Sequence, residues 1–157
     1  MTLKAVEEAI RLLDIYLEAN IAAKIVVLNA RYADSTTLGD IKKWYLGSLP
    51  IVTPENPSIC LHGTGWTALS AGQRKDSLEI ANQVDLVIFI GDSVVENRFK
   101  KLCRYVIGLL ELCQAYEYSS GYSFSIGGQV RMTDAMSTAP FLAGIIVPII
   151  MTKVEDF

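Results

Sequence analysis

The sequence predicts an α+β fold: a small, mainly antiparallel or mixed sheet of about four strands packed against two main α-helices. Three observations predict it. Two long stretches, one at the N-terminus and one from Val94 to about Ala115, repeat apolar residues at three- and four-residue steps. Val84 to Ile90 is apolar on both faces, as a central strand covered on two sides must be. The last third of the chain alternates apolar with polar residues and closes on a strongly apolar run. With 157 residues, 51% hydrophobic and 20% charged, the chain is read as one domain, 1–157, with a buried core.

Each element has its own warrant. The first helix starts at about Thr2, with Leu3, Val6, Ile10, Leu13 and Leu17 on one face. Lys4, Glu7, Glu8, Arg11, Asp14 and Glu18 fill the other, and Glu7 and Arg11 form a favourable i,i+4 pair. Ile21 to Leu28 is apolar nearly all round; it either continues this helix into a buried place or starts a second one. Residues 31–57 read as a long irregular loop, broken by Ser35, Gly39, Pro50, Pro54 and Pro57, with Trp44, Tyr45 and Leu46 in its middle. Ser58 to Leu61 starts a strand, and Thr64 to Lys75 is polar and Gly-containing, anchored by Trp66.

Helix two is expected to bury Val95, Phe99, Leu102, Val106, Leu109, Leu110 and Cys113. Asn97, Lys100, Lys101, Arg104 and Glu111 should face away. Tyr122, Phe124, Ile126, Val130 and Met132 then share one face of an alternating segment, which Gly127 and Gly128 break with a bulge or tight turn. The final strand spans Leu142 to Val154. Pro148 cannot donate to a ladder, which argues for an edge or bulge position, and an edge that apolar invites pairing with another chain.

The totals also exclude functions. A net charge of −3 gives no global basic field, so free DNA binding is not expected, although passive contact with DNA inside an assembly is compatible with it. Three cysteines without C-x-x-C spacing read as thiols in a reducing compartment. Charges interrupt any N-terminal apolar core, and Phe141 to Met151 is too short to span a bilayer. These features read as a soluble intracellular product with no membrane partner.

Gly91-Asp92-Ser93, at the end of an apolar strand, resembles the nucleophile block of the GDSL hydrolases. Such a serine needs a base, and the single histidine, His62, lies upstream, with no Asp-x-x-His near the C-terminus. Ser93-Val94-Val95-Glu96 reads more simply as a capping box. His62-Gly63-Thr64-Gly65 lacks every phosphate-loop fingerprint and reads as a turn between strands. A lone histidine is a poor metal site, so neither metal nor cofactor is expected, nor is enzymatic activity. Arg74, Lys75, Lys100, Lys101 and Arg104 are basic; the last three read as one solvent face, suited to an acidic neighbouring subunit or a passing DNA backbone.

In this order of elements the chain resembles the tail-terminator (tail-completion) proteins of long-tailed bacteriophages. The resemblance rests on the opening helix with Tyr16-Leu17-Glu18-Ala19-Asn20 and on the proline-marked loop leading to Pro57-Ser58-Ile59. It continues through the strand Val84 to Ile90, the helix with Leu102-Cys103-Arg104-Tyr105 and the apolar strand around Phe141 to Met151. It implies a virion protein, made in the host cytoplasm, that forms a ring, commonly of six copies. The ring would contact the tail-tube protein and a neck or head-completion protein, and let DNA pass without reading it. The expected interface residues are Trp44, Tyr45, Trp66, Arg74, Lys75, Lys100, Lys101, Arg104 and Pro148. Another neck or connector protein, a small serine hydrolase and a general α+β binding module are the alternatives.

Overall fold

The computed structural model describes residues 4–47, 55–70, 77–136 and 139–156, with side chains over 8–47, 55–68, 77–132 and 142–154. The elements run α1 (Lys4–Tyr32), β1 (Lys43–Leu46), β2 (Ser58–Ser70), β3 (Ser77–Gly91), α2 (Val95–Ser120), β4 (Ser123–Ile126), β5 (Arg131–Met136) and β6 (Ala139–Asp156). The α+β class with two helices is as expected, but the sheet has six strands rather than about four. Its order is β1-β2-β3-β6-β4, with β5 also on β6. β1 joins β2 in parallel, and all other pairs are antiparallel.

Both helices lie on one face of the sheet. α1 packs over β1, β2 and β3, and α2 over β3, β6 and β4. The period of two along each strand decides which residues they cover. Ile59 and Leu61, Val84 to Ile90 at alternate positions, and Ala143, Ile145, Val147, Ile149 and Met151 all enter one core. Leu13, Leu17, Ile21, Ile25 and Leu28 of α1 and Leu102, Tyr105, Leu109 and Leu112 of α2 close it from above. On the opposite face Cys60, Val87 and Phe89 form a second, smaller buried cluster with Tyr45 and Ile146.

The helices are antiparallel neighbours. Gly108 makes their crossing possible: a Cβ there would stand 2.7 Å from Leu28 Cδ1 and 3.2 Å from Lys24 Cγ. Lys24 and Arg31 of α1 both bind Glu111 of α2, at 3.1 and 2.6 Å. These contacts hold the Glu111 carboxyl down at about 2, through hydrogen bonds from Arg31 and Lys24. At the other end Tyr16 meets Tyr116 with ring centroids 4.7 Å apart, and Phe124 of β4 closes on Tyr116 at 6.0 Å.

Several expectations need correction. Ile21 to Leu28 continues α1 without a break, but it is not buried all round: Val26 is 69% exposed. The irregular loop is shorter than 31–57, because α1 runs to Tyr32 and Lys43–Leu46 form a strand. The Gly63–Gly65 stretch is a β-bulge within β2, not a turn, so the strand continues to Ser70. The alternating segment 122–132 is two strands, both paired with β6.

Pro148 is not on an edge. β6 has β3 on one side and β4 and β5 in succession on the other. Pro148 sits where β4 gives way to β5, so its missing N–H falls in a gap of the ladder. The gap is bridged by Gly127, whose N–H donates to the Pro148 carbonyl at 2.8 Å. A side chain at Gly127 would meet Ile150 Cγ1 at 2.9 Å, so only glycine lets the chain pass this close. The inference from Pro148 to an exposed, pairing-competent β6 therefore fails. The Glu7–Arg11 pair lies outside the described side chains.

Candidate interaction surfaces

The basic residues of α2 do not form one solvent face. Arg104 is buried, at 6% exposure. Its guanidinium donates to both Asp34 oxygens and to the Thr36 carbonyl, and its Cζ stacks 4.4 Å from the Tyr32 ring centroid. The guanidinium hydrogen bonds and the Thr36 N–H hold the Asp34 carboxyl down at about 2. Lys101 binds Asp92 at 2.7 Å, and Lys100 pairs with Glu96 one turn back at 2.8 Å. The expected row of cations is thus one buried tie and two local ion pairs.

Arg104 belongs to a set of side chains that pin the segment after α1. Asn29 accepts from the Leu38 N–H at 2.7 Å and donates to its carbonyl at 3.0 Å. Tyr105 donates to the Gly39 carbonyl at 2.6 Å, and Thr36 Oγ1 bonds Asn97 at 3.1 Å. The segment therefore delivers β1 to the sheet in a set register, Trp44 beside Ile59 and Tyr45 beside Cys60. Alternation then sends Trp44 to the helix side and Tyr45 to the far side, both half-buried on their own domain. Trp66, on β2, is 46% exposed. Arg74 and Lys75 lie outside the described residues.

Trp44 also walls a cleft of about 580 Å³ between α1 and β1, with Asp14, Glu18, Asp40 and Lys42 among its lining. Burial, with the charge of Glu18 adding to it, pushes the Asp14 carboxyl up to about 6. Asp14 Oδ1 is buried with no hydrogen-bond partner among the described residues. The cleft combines carboxylates, lysines and an indole wall, but no described cluster has the donor set of a metal site.

The Gly91-Asp92-Ser93 corner differs from the expected capping box. The N-cap is Val94, with extended backbone and no side-chain cap bond. Asp92 Oδ1 instead accepts the Val94 N–H at 2.9 Å, a local turn that starts the helix one residue later than a Ser93 cap requires. Glu96 is left to Lys100. Ser93 is exposed, and His62 is not near it. His62 pairs across from Asp85 and bonds the Gly47 carbonyl, which places it six strand residues, roughly 20 Å, from the Gly91 end of β3 where Ser93 follows.

Two apolar surfaces escaped the sequence reading. The first is a ridge along the outer side of α1, away from the sheet: Leu12, Ile15, Ala19, Ala22 and Val26, with Ala23 and Val27 beside them, all exposed. Their three- and four-residue spacing puts them on one side of the helix, opposite the buried stripe. The second is a trough on the other flank of the domain. α2 packs on β4 but not on β5, so the helix-side residues of this edge stay open. Ile126, Val130 and Met132 are 40–49% exposed, and Phe99 on the facing flank of α2 is 57% exposed. Cys103, Val106 and Leu110 continue that flank, and Leu110 meets Ile126 in a groove of about 290 Å³.

Monomers seldom leave contiguous apolar patches of more than a few hundred Å² in water. The clue to the ridge was the all-round apolarity of Ile21 to Leu28; the clue to the trough was Phe99, wrongly placed in the core. No family model matches the chain, and no curated protein is significantly similar to it.

Proposed function

We propose that this chain is a structural virion protein whose copies close into a ring, commonly of six, that terminates a phage tail tube and joins it to the neck. The observation that carries the reading is the pair of unlike apolar surfaces on different sides of one domain, the α1 ridge and the α2–β5 trough. A self-complementary patch makes two-fold dimers. Two unlike patches make a head-to-tail contact, and repeating that contact through a closing rotation makes a ring.

The rest of the surface fits this role. The exposed cations of α2 are committed to local carboxylates, and the net charge is −3. A lumen built from such subunits makes few phosphate contacts, so DNA slides through it unread. The ring's two rims would meet the tail-tube protein and a neck or head-completion protein. A connector ring elsewhere in the neck would use the same physics.

The test is tube growth. Purified protein is added to polymerising tail-tube subunits of the same phage, and tube lengths are measured by negative-stain microscopy. Capping shortens and narrows the length distribution, with ring density at one tube end. Unchanged lengths with no end density would reject the terminator assignment.

A further inference from the structure

The geometry points to the partner of each apolar surface: the α1 ridge of one copy lies in the α2–β5 trough of the next. The inference rests on the ring reading and names the surfaces that build the ring. The ridge is the outer side of a helix, and the trough deepens into a groove where Leu110 of α2 faces Ile126 of β4, so a helix side meets a recess. From Leu12 to Val26 the ridge is about 21 Å long, and from Val95 to Leu110 the trough wall is about 22 Å, at ~1.5 Å per residue. Ala19, Ala22 and Ala23 at the middle of the ridge let the two backbones approach closely, while Leu12, Ile15 and Val26 supply the apolar mass at its ends. This is the helix-in-groove mode of recognition, with anchors at three- and four-residue steps.

Area argues for a second copy as the occupant. Each surface exposes on the order of a few hundred Å² of apolar side chain, near the largest patches monomers carry. Adding the charged margins (Glu8 and Arg11 by the ridge, Glu117 by the trough) brings each surface toward the roughly 800 Å² per partner of a stable interface. One contact per neighbour covers both surfaces at once, which no single foreign partner does.

The chain carries its own reporter. Cys103 is half-exposed on the trough wall, whereas Cys60 and Cys113 are buried. Cysteine is placed singly at the exposed ridge positions, Ala19→Cys, Ala22→Cys and Ala23→Cys, each with and without Cys103→Ser. The proteins are oxidised with copper-phenanthroline and run on non-reducing gels, and the native mass of the untreated protein is measured in parallel. At least one ridge cysteine should give a ladder of covalent oligomers ending at the ring, abolished by Cys103→Ser. Wild type should stay monomeric on the gel. Dimers that persist with Cys103→Ser would mean that ridge meets ridge, and would overturn the proposal. A ring by native mass with no ladder at any position would overturn this pairing and leave the ring. A monomer by native mass would defeat the ring itself.

Discussion

Replacing Arg104 by methionine separates a structural tie from a partner-facing cation. Methionine keeps the aliphatic stem in its buried slot and removes the guanidinium. Asp34 is solvent-exposed and rehydrates, so the lost ion pair contributes little. The Thr36 carbonyl is different: Thr36 is 4% exposed, and its oxygen loses a charged donor. Stranding a buried acceptor costs about 1–3 kcal/mol. The Tyr32 stacking contact adds about 0.5–1 kcal/mol. The expected loss is therefore about 2 kcal/mol, or roughly 4–8 °C in Tm for a chain of this size. Thermal melts followed by circular dichroism, repeated in urea, measure it. Lys100→Met, which severs only an exposed pair, should move Tm by no more than about 2 °C. Equal effects of the two substitutions would refute the assignment of Arg104 as the residue that ties the post-α1 segment to α2.

Other outcomes follow from the same contacts. Because Glu111 is held down at about 2, its contribution to stability is complete above about pH 4.5 and is lost as pH falls toward 2, with the solvent-exposed Asp34 adding little; urea midpoints across that range should show a small loss. Asp14 works in the opposite sense: its carboxyl is pushed up to about 6, so ionising it weakens the fold as pH rises from about 4 to 6. Asp14→Asn should stabilise by on the order of 1 kcal/mol at pH 8 and have no effect at pH 3.5, and a loss of stability at pH 8 would contradict the burial argument. Gly108→Ala gains about 1 kcal/mol of helix propensity but pushes a methyl into Leu28, so a net loss of about 1 kcal/mol is expected, partly recovered when Leu28→Val is added. Val26→Asp and Phe99→Asp, both at exposed positions, should prevent the proposed ring from assembling while leaving the far-ultraviolet spectrum unchanged.

The central layer of the fold was legible because its signals are local. Val84–Ile90 announced β3 by being apolar on both faces, and both faces are buried: Val84, Leu86, Ile88 and Ile90 in the core under the helices, Val87 and Phe89 in the far-face cluster with Cys60, Tyr45 and Ile146. The extension of β2 to Ser70 was hidden because the bulge at Gly63–Gly65 shifts the alternation by one residue, so no single period runs through the strand. β1 is only four residues long, and its strand character comes from pairing with β2, which no local pattern encodes.

The interaction surfaces were less legible. α2 carries two adjacent apolar stripes, Leu102-Tyr105-Leu109-Leu112 toward the sheet and Phe99-Cys103-Val106-Leu110 toward the β5 edge, and the sequence reading merged them. That merging left Arg104 on the supposed solvent side. Its true environment is set by Asp34 and Thr36, some 70 residues earlier, a contact that only the folded chain creates. Ser93 misled for a more local reason: Asp92 beside it competes for the same N–H groups, and the aspartate turn prevailed.

The most direct test of the account is the native mass of the untagged wild-type protein at micromolar concentration. A closed ring, six times the 17.3 kDa chain if it is a hexamer, with no ladder of larger species, is the predicted result. A single 17.3 kDa species persisting to tens of micromolar would contradict it, since the ridge and trough would then stand permanently in water.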